Sequence, residues 1–238
     1  KLDTKKGDSG ETVVYNLDRL GVPLVEVATA PDVRSPEHAK ETALALGRLL
    51  RDTRRVRRGL GSIRQDLNVS ISCGDRVEIK GCQDLDWVPR IIRLEMARQL
   101  HFYRLANELR SEAELPLLPP DRALDSEPVE NRVELATSNR IPLDIQDLSG
   151  LFSDCESDII ASSIELGSSV LCVSLPGFSG RIGKKNSTEN GAQLPRLGRE
   201  LASAAKLAGV SGIFHSDELP SYGIGPGEVD AVRSEMEL

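Results

Sequence analysis

Residues 61–80 read GSIRQDLNVSISCGDRVEIK, and this stretch decides the fold of the chain's first half. Apolar and polar residues alternate on both sides of the turn Cys73-Gly74-Asp75. Successive side chains of a strand point to opposite faces, so the pattern predicts a hairpin with one apolar and one polar face. The apolar set is Leu67, Val69, Ile71, Val77 and Ile79, and the polar set is Asp66, Asn68, Ser70, Glu78 and Lys80. Asp, Asn, Glu and Lys are unfavourable in strands, so their concentration here indicates a polar site on a sheet.

The composition is that of a globular protein with an aliphatic core. Of 238 residues, 39% are hydrophobic, 28% charged and 3% aromatic, and this length suits one large or two ordinary domains. No apolar run approaches the length of about 20 residues that a membrane span needs. The first residues, Lys1-Leu2, show neither an initiator Met nor a signal-peptide pattern. We therefore expect a piece of a longer protein.

The charge distribution is uneven. The net charge of -7 argues against a general nucleic-acid binder, yet residues 48–64 contain a run of arginines with Asp52 as the one acid. These arginines are Arg48, Arg51, Arg54, Arg55, Arg57, Arg58 and Arg64. One interpretation is a solvated helix end whose cations suit the helix dipole. The other is a surface that faces phosphate or RNA.

Capping and periodicity predict the remaining elements. Ser35-Pro36-Glu37 predicts a helix start, and the helix is expected to end between Arg51 and Arg55. A second helix is predicted from Asp86 as its cap to about Leu109. Leu24–Ala28 predicts a buried strand that contains Glu26, whose charge needs either an arginine partner or a metal ion.

Residues 111–147 contain the strongest signals against regular secondary structure. Prolines interrupt any long element there, and they are Pro116, Pro119, Pro120, Pro128 and Pro142. The pattern predicts a linker and a domain boundary. Beyond it we expect a smaller α+β region with a helix capped by Ser153 and ended by Gly167. Strands are expected at 169–175 and 211–215.

Chemistry in this chain must rest on carboxylates and cations. The sequence contains no P-loop, no HExxH and no GxSxG, and its four cysteines form no CxxC pair, which is typical of reduced cytosolic thiols. Oxygen donors suited to Mg²⁺ are Glu26, Asp66, Asn68 and Glu78. Arg64 and Lys80 suit phosphate oxygens. Together these residue types favour phosphoryl transfer.

Several motifs carry a family resemblance. Residues 15–32 read YNLDRLGVPLVEVATAPD, and 61–71 and 76–81 read GSIRQDLNVSI and RVEIKG. These resemble the GatB/GatE family of tRNA-dependent amidotransferases. Residues 175–178, LPGF, and 212–220, GIFHSDELP, resemble the small domain that archaeal members share with bacterial-type aspartyl-tRNA synthetases. The two resemblances together indicate the archaeal branch of the family.

The resemblance implies an α+β fold with three parts. Residues 1–112 would be part of the sheet-based catalytic cradle, 113–147 the Pro-rich linker, and 148–238 the synthetase-like insertion domain. It also implies ATP-dependent conversion of Glu-tRNA(Gln) to Gln-tRNA(Gln) in the cytoplasm. Ammonia would come from an asparaginase-like glutaminase partner, the family's D subunit, in a hetero-oligomer without membrane contact.

Site residues carry over from the same motifs. The resemblance implies that Glu26 and Glu78 bind Mg²⁺ and that Arg64 and Lys80 act in catalysis at phosphate. It further implies that three residues contact ATP, phosphate or the tRNA end, and these are Ser62, Asp66 and Asn68. The family's N-terminal EIH-type metal ligands and its C-terminal tRNA-gripping domains do not match any part of this sequence, so we expect the piece to be inactive alone.

Two other functions remain open from the sequence. The first is a non-catalytic RNA-binding or assembly module in which the hairpin is only structural. The second is a bacterial-type B subunit that also acts on Asp-tRNA(Asn), against which the predicted insertion at 148–238 argues.

Overall fold

The computed structural model divides the chain into two compact units, residues 1–35 and 36–238. It describes residues 3–7, 10–17, 20–59, 61–121, 144–217 and 223–237. Most of the predicted linker, 122–143, lies outside the described residues, as does the end of the 212–220 motif. The predicted division into cradle, linker and insertion domain therefore stays a prediction.

The first unit contains one hairpin and a long exposed segment. Strand β1, Asp3–Gly7, pairs antiparallel with β2, Gly10–Val14. The predicted buried strand at Leu24–Ala28 is wrong, because this segment is coil and Leu24 and Val25 are 79% and 78% exposed. A strand needs a neighbour for its N–H and C=O groups, and in the described part of this unit the sheet consists of β1 and β2.

Two helices form the frame of the first half of the second unit. Helix α1, Pro36–Asp52, begins and ends where the sequence predicts, with Glu37 in its first turn and Arg51 in its last. Helix α2, Val88–Glu112, packs against α1. Trp87, not Asp86, occupies the N-cap position of α2 and makes no side-chain cap. The predicted Asp86 cap is therefore wrong, because its carboxylate pairs with Lys40 of α1.

Short strands and three more helices complete the described part. Strands β3, Leu67–Val69, and β4, Val77–Ile79, form a hairpin, and β5, Ile145–Asp147, pairs antiparallel with β6, Leu171–Val173. Strands β7, Asn186–Ser187, and β8, Gln193–Leu194, form a last pair. The helices are α3, Asp158–Glu165, α4, Leu197–Leu207, and α5, Pro226–Glu235, with a 3₁₀ turn at Ser149–Leu151. Helices beside small antiparallel sheets confirm the α+β class.

Two expectations for the third region are wrong. Helix α3 has Ser157, not Ser153, at its N-cap position, although Gly167 follows the helix with a positive φ of 88° as predicted. Residues 211–215 form no strand, and 211–214 are exposed. Among the described residues, no helix combines the length and apolar character needed to cross a bilayer.

A small core holds this region together, built from Leu148, Phe152, Cys155, Ile224 and Met236. Phe152 is 1% exposed and meets Phe214 edge-on at a centroid distance of 5.6 Å. All four cysteines are free, and burial raises the pKa of the Cys82 and Cys172 thiols. Their thiolate forms are therefore disfavoured.

Phe152→Ala is expected to lower the free energy of unfolding by about 3–5 kcal/mol, because it removes a fully buried ring and leaves a cavity. Urea unfolding measures the change. Ile159→Ala is the matched control, since Ile159 is 68% exposed and its loss is expected to cost less than about 1 kcal/mol. Equal costs for the two variants would contradict the assignment of the core.

Candidate functional site

The hairpin of β3 and β4 has the two faces that the sequence predicts. The strands pair antiparallel with Leu67 opposite Ile79, Asn68 opposite Glu78 and Val69 opposite Val77. Val69 is buried at 6% exposure, while Asn68 and Glu78 are exposed. The predicted alternation is thus confirmed, and an amide and a carboxylate lie directly opposite each other on the solvent face.

One hydrogen bond closes the open end of the hairpin, and one ion pair lies along its second arm. The Oδ1 atom of Asp66 accepts a hydrogen bond from the Gly81 N–H at 3.2 Å, and Gly81 has a φ of 77°. Lys80 Nζ lies 3.3 Å from Glu78 Oε2, and both side chains are largely exposed. Asp66 therefore uses one carboxylate oxygen to hold the hairpin. Its second oxygen, together with Asn68, Glu78 and Lys80, gives this face a compact set of polar groups.

Helix α2 holds the edge of β3 that faces away from β4 through one side chain that the sequence analysis missed. Gln99 is 6% exposed and bonds the backbone of Val69 and Ile71. A signal for it exists in the sequence: Gln99 lies seven residues after Ile92, two helical turns along the apolar stripe of α2. A polar residue on such a stripe needs a buried partner.

Ser62 and Arg64 lie in the turns that lead into the hairpin. The Ser62 N–H donates to the Gly59 carbonyl at 3.3 Å, and the Ser62 side chain is half-buried. Arg64 is exposed and takes part in none of the ion pairs found among the described residues. Its guanidinium is therefore available to an external anion.

The two predicted metal ligands belong to different units. Glu26 lies in the exposed coil of the first unit, and Glu78 lies on the hairpin of the second. Within the described ranges, no three or more His, Cys, Asp or Glu side chains form a group able to hold a metal ion. The hairpin contributes Glu78 and Asn68, whose oxygens suit a hard cation such as Mg²⁺.

A basic surface precedes the hairpin, and we call it the arginine segment, residues 48–64. All its arginines are exposed, and none of them appears in the ion pairs of the described part of the chain. Arg51, in the last turn of α1, is also placed to suit the helix dipole. The segment thus presents many unneutralised cations in a chain whose net charge is -7.

Comparison with known proteins identifies the family. The model of the GatB/GatE catalytic domain matches residues 2–138. The E subunit of glutamyl-tRNA(Gln) amidotransferase from Thermococcus gammatolerans is 46% identical over 226 residues, which are 95% of this chain and 32% of the relative. The corresponding E subunits of Methanosarcina acetivorans and Methanocaldococcus jannaschii are 43% and 42% identical, each over 95% of this chain and 31% of the relative.

The chain spans about a third of the length of these curated relatives. The catalytic-domain match contains the β3–β4 hairpin, the arginine segment and Glu26. Since that match covers more than half of the chain, the protein belongs to the GatB/GatE family.

Proposed function

We propose that the full-length protein containing this chain converts Glu-tRNA(Gln) to Gln-tRNA(Gln) with consumption of ATP. The observation that carries the proposal is the polar face of the hairpin, which lies inside the region matched by the GatB/GatE catalytic domain. The names of the relatives support the substrate, since they are glutamyl-tRNA(Gln) amidotransferase subunits.

The reaction requires an activated glutamyl side chain, because a carboxylate has no group that ammonia can displace. We infer that the γ-carboxylate oxygen attacks the terminal phosphorus of ATP, which releases ADP and forms an acyl phosphate. Ammonia then adds to the acyl carbon, the carbon–oxygen bond to phosphate breaks, and the phosphate takes the surplus proton. Such a site needs cations and a metal ion more than a nucleophilic Ser or Cys.

The hairpin residues suit these demands. Lys80 and Arg64 would meet phosphate oxygens, and Asn68 with Glu78 would offer oxygen donors to Mg²⁺. Mg²⁺ in such sites is held by one or two carboxylates together with substrate phosphates, so a set of three protein carboxylates is not required. The ion would neutralise phosphate charge when bound. Further contacts to ATP or the tRNA end are proposed for Ser62 and Asp66.

Glu26 is also proposed as a carboxylate ligand for Mg²⁺. Its support is its place in the PLVE motif at 23–26, inside the matched catalytic domain. Glu26 is exposed, so its carboxylate is accessible to a ligand.

The arginine segment is proposed to contact tRNA phosphates. Exposed arginines without acidic partners attract a polyanion even when the rest of the protein is acidic. Ammonia would come from a separate glutaminase, the D subunit, in a cytoplasmic hetero-oligomer. Residues 148–238 are proposed as an insertion domain for architecture or tRNA contact, and the end of the family match at 138 supports a boundary in the linker.

A direct assay tests the proposed reaction. The full-length protein with its glutaminase partner is incubated with Glu-tRNA(Gln), glutamine, ATP and Mg²⁺. We expect Gln-tRNA(Gln) and ADP in equal amounts, with no product when ATP or Mg²⁺ is omitted. Failure to form Gln-tRNA(Gln) with all components present rules the function out. A parallel reaction with Asp-tRNA(Asn) is expected to give no product, and turnover there favours a bacterial-type activity.

The arginine segment also favours a second candidate, an RNA-binding or assembly module without chemistry. Titration of the full-length protein with ATP separates the two functions. Nucleotide binding that depends on Mg²⁺ supports the amidotransferase, whereas tRNA binding without nucleotide binding supports the module.

A further inference from the structure

Helix α2 buries the carboxamide of Gln99 against the edge of β3 that faces away from β4. Its Nε2 donates to the Val69 carbonyl at 3.1 Å and to Glu95 Oε1 at 2.8 Å, and its Oε1 accepts the Ile71 N–H at 3.2 Å. An amide side chain can make four hydrogen bonds, and three are made here. This buried polar group is therefore well satisfied and has a defined orientation.

The hydrogen bonds from Gln99 to Val69 and Ile71 take the place of those that a neighbouring strand would make. In the described part of the chain, β3 has β4 as its sheet neighbour on one side. Gln99 bonds the carbonyl of Val69, the last residue of β3, and the N–H of Ile71, two residues past the end of the strand, with its own donor and acceptor. Unpaired backbone groups at a buried position are costly, so Gln99 fixes this edge of β3.

The turn of the hairpin is shaped to admit this side chain. Gly74 donates its N–H to the Ile71 carbonyl at 2.9 Å. A Cβ atom at Gly74 would lie 2.1 Å from Gln99 Oε1 and 3.0 Å from a side-chain carbon of Ile71. The carboxamide therefore occupies its place only because residue 74 has no side chain.

Gln99 is in turn held by a chain of charged groups. Glu95 accepts two hydrogen bonds from Arg98, at 2.8 and 2.9 Å, and Arg98 reaches Glu200 of α4 at 3.1 Å. The Glu95 side chain is only 10% exposed, and the hydrogen bond to Glu95 raises the pKa of Arg98. This arrangement limits the positions that the Gln99 donor can take.

We propose that Gln99 is a positioning residue, which holds β3 so that Asn68 and Glu78 keep their places on the solvent-facing side of the hairpin. Asn68 lies one residue before Val69, whose carbonyl Gln99 binds, and Glu78 pairs with Asn68 across the hairpin. The consequence for catalysis rests on the proposed amidotransferase function. The mechanical role does not, because it concerns backbone bonds within this chain.

The test uses Gln99→Met in the full-length protein with its glutaminase partner. Methionine fills a similar space but offers neither a strong donor nor a strong acceptor. We expect kcat for Gln-tRNA(Gln) formation to fall about 10- to 100-fold, the size of effect that a displacement of about 1 Å has on a reacting geometry. KM for Glu-tRNA(Gln) is expected to stay within about twofold, because a positioning defect acts on the reacting geometry.

Gly74→Ala tests the same contact by changing the residue that lies against the Gln99 carboxamide. It displaces the Gln99 carboxamide and is expected to lower kcat in the same way, while the double variant is expected to be no worse than the more affected single variant. Gln193→Met, at an exposed position of β8, is the matched control and is expected to leave kcat unchanged.

Hydrogen exchange of the Ile71 amide, whose N–H donates to Gln99, supplies a readout independent of activity. In Gln99→Met we expect at least about tenfold faster exchange at Ile71. An active wild type with unchanged kcat in Gln99→Met overturns the proposal, as does additivity of the two variants. If the wild-type complex forms no Gln-tRNA(Gln), the proposed function fails and hydrogen exchange alone tests the positioning role. Faster exchange at Ile71 in Gln99→Met then supports that role, and unchanged exchange overturns it.

Discussion

If the proposed function holds, Glu78→Ala is expected to abolish Gln-tRNA(Gln) formation by the full-length protein while the proposed glutaminase partner continues to hydrolyse glutamine. Glu78 is an exposed charge on the polar face, opposite Asn68 and 3.3 Å from Lys80. Its side chain contributes little to the core, and an exposed ion pair contributes only about 0–1 kcal/mol. A loss of about 10³-fold in kcat would therefore come from the chemistry and not from unfolding.

Two controls sharpen this result. Glu189→Ala removes an exposed carboxylate outside the β3–β4 hairpin and is expected to retain full activity. Glu78→Gln keeps the size of the side chain but removes its charge, so it is expected to resemble Glu78→Ala when charge is what the site needs. Wild-type rates of Gln-tRNA(Gln) formation in Glu78→Ala would falsify the assignment of Glu78.

The second large effect is expected at the arginine segment. Replacing Arg55, Arg57 and Arg58 together by Ala removes three exposed cations without an ion-pair partner in the described structure. We expect tRNA to bind at least about tenfold more weakly at about 0.15 M salt. The slope of log Kd against log salt concentration is expected to fall by about 2 to 3, since each lost phosphate contact removes about 0.9.

Filter binding or fluorescence anisotropy with Glu-tRNA(Gln) measures this change over a salt series. The matched control replaces Arg199, Lys206 and Arg233, three exposed cations of α4 and α5, so that the net charge changes by the same amount. An equal loss in both triple variants would contradict a specific role of the arginine segment in tRNA binding. An unchanged salt slope in the variant of Arg55, Arg57 and Arg58 would mean that these arginines are only a solvated, charged surface after α1.

The two experiments together separate the candidate functions. An RNA-binding module loses tRNA affinity in the arginine variant but has no activity for Glu78→Ala to remove. An amidotransferase is affected by both variants: the arginine variant weakens tRNA binding, and Glu78→Ala lowers kcat.

Local patterns predicted those parts of the fold whose stability is local. Pro36 and Glu37 begin α1 because a helix start depends on a few neighbouring residues. The register of β3 with β4 follows from alternation, since a shift by one residue would turn Val69 into solvent. The resemblance in the motifs likewise identified the family, because those motifs are long and lie in the matched region.

Predictions failed where a distant partner decides the outcome. Leu24–Ala28 has the composition of a buried strand, yet composition cannot supply the neighbour that a strand requires. Asp86 has the chemistry of a cap, but Lys40, 46 residues earlier in the chain, takes its carboxylate.

The sequence by itself determined that this chain carries a charged hairpin, a basic run before it and the motifs of one family. Only the tertiary structure decided what holds that hairpin, because Gln99 is 28 residues from Ile71 and reaches it by the packing of α2. Hydrogen bonds within a helix or hairpin follow from nearby residues, whereas a buried side chain finds its partner only after the elements pack. The polar face of the hairpin can therefore be predicted from the sequence alone, whereas the Gln99 hydrogen bonds that support the hairpin depend on the tertiary structure.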